Sequence, residues 1–117
     1  MCIRDSPVSC AASAATLEVL LEEKLIERVE EKSELFKSLL KHPRIKGIRG
    51  KGLMLAVQFD SFEENKKIID QCIANGVITD WFLFCDDSMR IAPPLTITEQ
   101  EIKTACEIIL KSIDEVS

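Results

Sequence analysis

Apolar positions along this chain change period several times, and each change marks a boundary. Pro7 suits a first helical turn, with Ser6 as its cap. Small residues fill the opening turns (Ala11, Ala12, Ser13, Ala14, Ala15), a surface that predicts close packing against another backbone. Leu17, Leu20 and Leu21 extend the apolar stripe. Leu25, Val29, Phe36 and Leu40 then follow at spacings of four, seven and four, one face of an amphipathic helix. The change of phase places a break or kink near residues 22–24, and Pro43 ends the helical region.

Residues 45–49 and 53–59 read as two strands around glycines, the second a nearly unbroken apolar run expected in the middle of a sheet. Ser61 with Glu64 has the capping-box spacing, and the helix it opens places Ile68, Ile69, Cys72 and Ile73 on one side. Asn75-Gly76 supplies a left-handed stop. Strands are expected near 77–79 and 81–85, with Asp86-Asp87-Ser88 turning the chain into a further strand at 89–92. Thr98 with Glu101 repeats the capping box and opens a last helix that buries Ile102, Ala105, Cys106, Ile109 and Ile113. Neighbouring strands joined by tight turns pair antiparallel. The expected class is α+β, an antiparallel sheet with helices packed on one face.

Composition narrows the function. At 117 residues, 46% of them hydrophobic, the chain is one soluble domain by size and balance. A net charge of −5 argues against a nucleic-acid partner, since phosphate binding needs a basic face. No apolar run spans a bilayer, and no basic-then-apolar opening marks a secretory signal. Cys2, Cys10, Cys72, Cys85 and Cys106 are scattered and odd in number, as in a reducing cytoplasm. With one histidine the chain is poorly supplied for zinc.

Most candidate chemistry has a plainer explanation. Gly47-Ile48-Arg49-Gly50-Lys51-Gly52 lacks the order of a phosphate loop and is expected to be a tight turn or bulge, with a minor part in receiving an anion. His42 sits where a helix ends and a cation meets its last carbonyls. Asp86-Asp87 is expected to make a turn, and Trp81 and Phe82 to pack in the core. Arg90 differs. Flanked by Met89 and Ile91 on a short strand, it must point away from the core, and its planar fork matches a carboxylate in bidentate fashion.

Four runs occur in fixed order: Pro7-Val8-Ser9-Cys10-Ala11-Ala12, His42-Pro43, Arg49-Gly50-Lys51-Gly52-Leu53-Met54 and Arg90-Ile91-Ala92-Pro93-Pro94-Leu95. Together they resemble the C-terminal part of class III aminotransferases, the group of acetylornithine, ornithine and 4-aminobutyrate aminotransferases. The resemblance implies a fold-type-I enzyme that uses pyridoxal 5'-phosphate, with residues 7–117 as its C-terminal small domain. It implies a homodimer with sites built between subunits, and an amino acid and a 2-oxo acid as substrates. It places Arg90 on the substrate α-carboxylate and gives this chain no catalytic or cofactor-binding residue, because the Schiff-base lysine lies upstream of the region represented. The segment alone is therefore expected to be inactive. Where the family carries a threonine for the partner subunit's cofactor phosphate, Cys2 stands, so residues 1–6 are expected to be a non-native leader. Two other readings fit: an aminomutase or racemase relative, and a non-enzymatic ferredoxin-like or ACT-like module that binds a ligand.

Overall fold

The structure, a computed structural model, describes residues 6–116, so the expected leader over 1–6 lies outside the described residues except at Ser6. Helix α1 spans Pro7–Glu22 and α2 Val29–Leu39. Strands β1 (Gly47–Lys51) and β2 (Met54–Gln58) precede α3 (Phe62–Ala74). Strands β3 (Asp80–Phe82) and β4 (Cys85–Ile91) precede α4 (Glu99–Glu115). The break after α1 is real: Lys24 takes a left-handed φ of 50°, which costs a residue with a Cβ roughly 1 kcal/mol.

The sheet has the order β1-β2-β4-β3, with every neighbouring pair antiparallel. It follows that β2 and β3 run parallel, joined through α3 with β4 between them. This is the split β-α-β arrangement of ferredoxin-like sheets. The insertion makes β4 an interior strand held on both sides. Its inner face gives Met89 and Ile91 to the core beside Leu55 and Val57 of β2. Phe36 and Leu40 press on them from the α2 region, Ile68, Ile69 and Cys72 from α3, and Ile102, Cys106, Ile109 and Ile113 from α4. Burying each large side chain contributes roughly 2 kcal/mol. The opposite face, bearing Met54, Ala56, Gln58, Ser88 and Arg90, has no helix over it among the described residues.

Both capping pairs form, in different ways. Thr98 accepts from the Glu101 backbone N–H while the Glu101 carboxylate accepts from the Thr98 N–H, closing the box. Ser61 accepts from the Glu64 N–H. The Glu64 carboxylate, however, accepts from Arg44 Nε at 2.6 Å and from the Asp60 N–H at 3.2 Å. Arg44 also donates to the carbonyl of Ile113 at 2.7 Å, so this ion pair ties the start of α3 to the end of α4.

Several expectations need correction. Residues 77–79 are not a strand; β3 starts at Asp80, and the turn of the hairpin falls on Leu83-Phe84. Asp86-Asp87-Ser88 lies inside β4. The run is held straight because the Phe59 N–H donates to the Asp87 carbonyl, Asn65 Nδ2 donates to the Asp86 carbonyl, and Ser88 registers against Gln58. Trp81 does not enter the core: it is partly exposed and meets Phe62 edge-on at 5.6 Å, while Phe84 is 97% exposed. Ile73 is largely exposed, one position off the buried stripe of α3. Ala105 is only half-buried. The small-residue helix α1 buries none of its residues against this chain. Its apolar side chains lie all round rather than in one stripe, the pattern of a helix that needs cover on more than one side.

The glycine run does make a tight turn. Gly50 has φ +143°, and a Cβ there would stand 2.1 Å from the Met54 carbonyl oxygen. Gly52 has φ +56°, with Val29 Cγ1 2.6 Å from where its Cβ would be. We expect Gly50→Ala to lower stability by roughly 2–4 kcal/mol, from strain and overpacking together. The midpoint of urea unfolding checks it, and an unchanged midpoint would contradict the turn geometry.

Asp87 adds a pH dependence. Its carboxylate accepts from Cys85 Sγ at 3.1 Å, Gln58 Nε2 at 2.8 Å and Ser88 Oγ at 2.8 Å. These bonds, that from Cys85 foremost, hold the carboxyl below its ordinary range. A depressed folded-state pKa gives stability that is present above the unfolded value and lost as pH falls through the folded one. Asp87→Asn is therefore expected to flatten the acid limb of the stability curve. Denaturant midpoints measured from neutral pH downward would show this; parallel limbs in variant and parent would refute it.

Candidate functional site

Arg90 occupies the middle of the uncovered sheet face because the pleat leaves no alternative. Met89 and Ile91 are buried, and side chains alternate along a strand. Register places Ala56 of β2 on one side of Arg90 and Asp80 of β3 on the other. Ala56 is too short to fill the space above it. Thr79 Oγ1 donates to the Arg90 carbonyl at 2.5 Å, fixing the backbone at this point. Arg90 NH2 donates to Asp80 Oδ2 at 2.5 Å. The two side chains are 45% and 48% exposed, so the pair remains open to solvent. Nε and NH1 of Arg90 have no hydrogen-bond partner among the described residues.

The strand then stops. Pro93 and Pro94 cannot donate to a ladder. Lys32 of α2, a buried residue, donates from Nζ to the Leu95 carbonyl at 2.6 Å. That bond pins the Pro-Pro-Leu segment to the helix and sets where β4 ends. Sequence reading passed over Lys32, although its distance of three residues from Val29 and four from Phe36 puts it on the buried side. A cavity of about 120 Å³ borders the same segment, walled by Phe36, Ile78, Ile91, Ile97 and Ile109. Its walls are mostly apolar, with Thr79 and Arg90 the polar residues among those that line it. It therefore adjoins the site through Arg90 itself.

Arg49 shares the open face and also registers against Ala56, but three of its five N–H groups are engaged. NH1 donates to Gln58 Oε1 at 2.9 Å, and NH2 to Cys85 Sγ at 2.7 Å and Ser88 Oγ at 3.2 Å. It fastens three strands together and is not the partner of Lys51. His42 has a structural place, but not on the helix carbonyls as expected: its Nε2 meets Asp114 Oδ1 at 3.0 Å, and its Nδ1 accepts from the Arg44 N–H at 3.2 Å. Cys72 and Cys106 are core residues, with burial pushing the Cys106 thiol up to about 12 and raising that of Cys72. Asp80 was missed in the sequence. Nothing local marks it; only the register of β3 on β4, after the irregularity at Trp81/Phe82, brings it to Arg90.

Comparison with known proteins agrees with this fold. Residues 5–113 match the family model described as aminotransferase class-III. The chain is 35% identical over 118 residues to an ornithine aminotransferase of Emericella nidulans, covering 95% of this chain and 26% of that protein. It is 32% identical to an acetylornithine aminotransferase of Haemophilus ducreyi, covering 95% of this chain and 28% of that one. In three dimensions it matches the ornithine aminotransferase of Toxoplasma gondii with a TM-score of 0.82 at 35% identity, over 94% of this chain and 27% of that one. That structure carries partial occupancy of PLP at its active site. The chain thus spans about a quarter of the length of the relatives it matches. Fold, motif order and sequence agree over nearly the whole chain, and on those grounds it belongs to the class III aminotransferase family.

Proposed function

We propose that residues 7–117 are the C-terminal small domain of a pyridoxal-phosphate-dependent aminotransferase, and that Arg90 receives the α-carboxylate of its amino-acid substrate. The observation that carries this is the guanidinium itself: it stands on a rigid interior strand, on the open face, with Nε and NH1 unpaired among the described residues. A bidentate grip on a carboxylate needs two N–H groups side by side. Arg49, the other arginine of that face, has none to offer from its NH2 edge.

When bound, pyridoxal phosphate supplies the electron sink through which an amino group passes between an amino acid and a 2-oxo acid. On this reading the segment supplies recognition of the substrate's acid end, holds no cofactor and is inactive by itself. Orientation is what Arg90 contributes: a fixed carboxylate limits the poses of the rest of the substrate. The exposed apolar side chains of α1, Leu17 and Leu21 among them, support a helix covered by the rest of the enzyme and its second subunit. Among the described residues no helix is long and apolar enough to cross a membrane, and we place the homodimer in the cytoplasm on its scattered unpaired cysteines.

Two measurements test this reading. In the full-length enzyme, Arg90→Lys should raise KM for amino-acid donors by about 10- to 100-fold, the loss of a bidentate charge-assisted contact. Amines that lack a carboxylate should be unaffected. An unchanged KM for the amino acid would remove Arg90 from the site. The present segment, mixed with pyridoxal phosphate and gel-filtered, should retain no stoichiometric cofactor.

A further inference from the structure

The turn between β3 and β4 is built from residues that a free turn avoids. Exposed turns favour glycine, asparagine, aspartate and serine, but this one is Leu83-Phe84, both largely in solvent. Trp81 and Phe82 precede them, so four consecutive apolar residues lead to the tip. A soluble protein rarely exposes such a run without a use for it. Asp86 follows, exposed and with no ion-pair partner among the described residues. Arg49, the cation beside it, is already bonded to Cys85 and Ser88. Residues 68–89 carry four aspartates and no lysine or arginine. The tip is an apolar knob on an acidic base.

Its complement lies on the same chain. A groove of about 430 Å³ opens where α2 ends and β1 begins, with Leu40, Ile45 and Ile48 as its apolar lining and Lys37, Lys41 and His42 as its polar one. An apolar cavity of about 150 Å³ is enough to hold a benzene ring, so an aromatic side chain fits here with room to spare. Lys37 is paired with Glu34 and His42 with Asp114. Lys41 is exposed and has no ion-pair partner among the described residues. Residues 35–59 carry six lysines and arginines and no acid.

Knob and groove sit at one end of the sheet. Gly47 registers against Gln58 and Gln58 against Ser88, which sets the start of β1 level with the start of β4. The order β1-β2-β4-β3 puts them at opposite edges, roughly 14 Å apart at ordinary strand spacing. Held in register by β3 and β4, the tip cannot cross to its own groove. A second copy, set end to end by a two-fold axis normal to the sheet, brings each tip opposite the other's groove. We infer that the Leu83-Phe84 tip of one copy docks in the groove of another, with Asp86 facing Lys41, in a reciprocal two-fold contact. An anionic membrane would repel the acidic base, and tip-to-tip packing would set Asp86 against Asp86. Phe84 stands six residues from Arg90, roughly 20 Å along the strand, and the contact is independent of the role proposed for that arginine.

The test is sedimentation velocity of the full-length enzyme over rising concentration, with amino-acid turnover measured alongside. The parent should associate beyond its smallest stable form, and less so as salt rises. Phe84→Ser should weaken that step by about 10-fold or more, the loss of a buried aromatic anchor, with kcat and KM unchanged. Lys41→Glu and Asp86→Lys should each weaken it, and the two together should restore it. All three positions are exposed, so urea midpoints should match the parent's. A parent that never associates further, association unmoved by salt or by Phe84→Ser, or a double variant no better than the singles would each overturn the inference. So would a parent that binds zwitterionic lipid vesicles through this tip instead of associating with itself.

Discussion

Burial of Met89 and Ile91 on either side of Arg90 is the constraint on which the site depends. A strand cannot send two alternate side chains into the core without turning the one between them to the opposite face. The constraint holds only while β4 stays in register, and β4 is held from both sides: by Leu55 to Gln58 on β2 and by Asp80 to Phe82 on β3. A one-residue slip would bury the guanidinium and expose both apolar neighbours. The hydrophobic core is in this sense what aims Arg90, and the side chains of α2, α3 and α4 that press on the inner face hold it there without touching it.

The same architecture explains why so much apolar surface lies outside. Three helices are enough to cover one face of a four-stranded sheet, and α2, α3 and α4 do so. Helix α1 is left with no residue buried in this chain. A stripe of small side chains gives close approach to another backbone but little apolar area of its own, so it stabilises only when such a backbone is present. This chain spans about a quarter of the length of the relatives it matches.

Much of the fold could be read from local pattern. The two phases of the first helical region, the Gly50-Lys51-Gly52 turn, the Thr98–Glu101 box and the buried faces of α3 and α4 all follow from spacings within a few residues. The hairpin of β3 and β4 could not be placed so well. Asp86, Asp87 and Ser88 have turn chemistry by type, but Asn65, Gln58 and Cys85, distant in sequence or committed to Arg49, hold them extended. Trp81 and Phe82 were expected in the core because aromatic strand residues usually are; here β3 is a short edge strand that leaves Trp81 exposed and Phe82 only half-buried. Arg90 was legible as an outward-facing arginine. Its partner Asp80 was not, since pairing across strands is set by register and the bulge between Trp81 and Phe82 shifts it.

Arg49 and Arg90 show why residue type and face are not enough to define a receptor. Both stand on the uncovered side of the sheet, both register against Ala56, and both sit in runs that mark the family. Arg49 is surrounded by short polar groups of β2 and β4 that absorb its donors, and those groups in turn satisfy Asp87, so its charge is built into the end of the sheet. Arg90 has Ala56 on one flank and a single carboxylate on the other. A small neighbour removes the competing acceptors that would have bound its fork, and an edge-strand neighbour leaves the approach open. The difference between the two arginines lies in what their strand neighbours offer them, and that difference is why the proposed substrate role falls on Arg90 and not on Arg49.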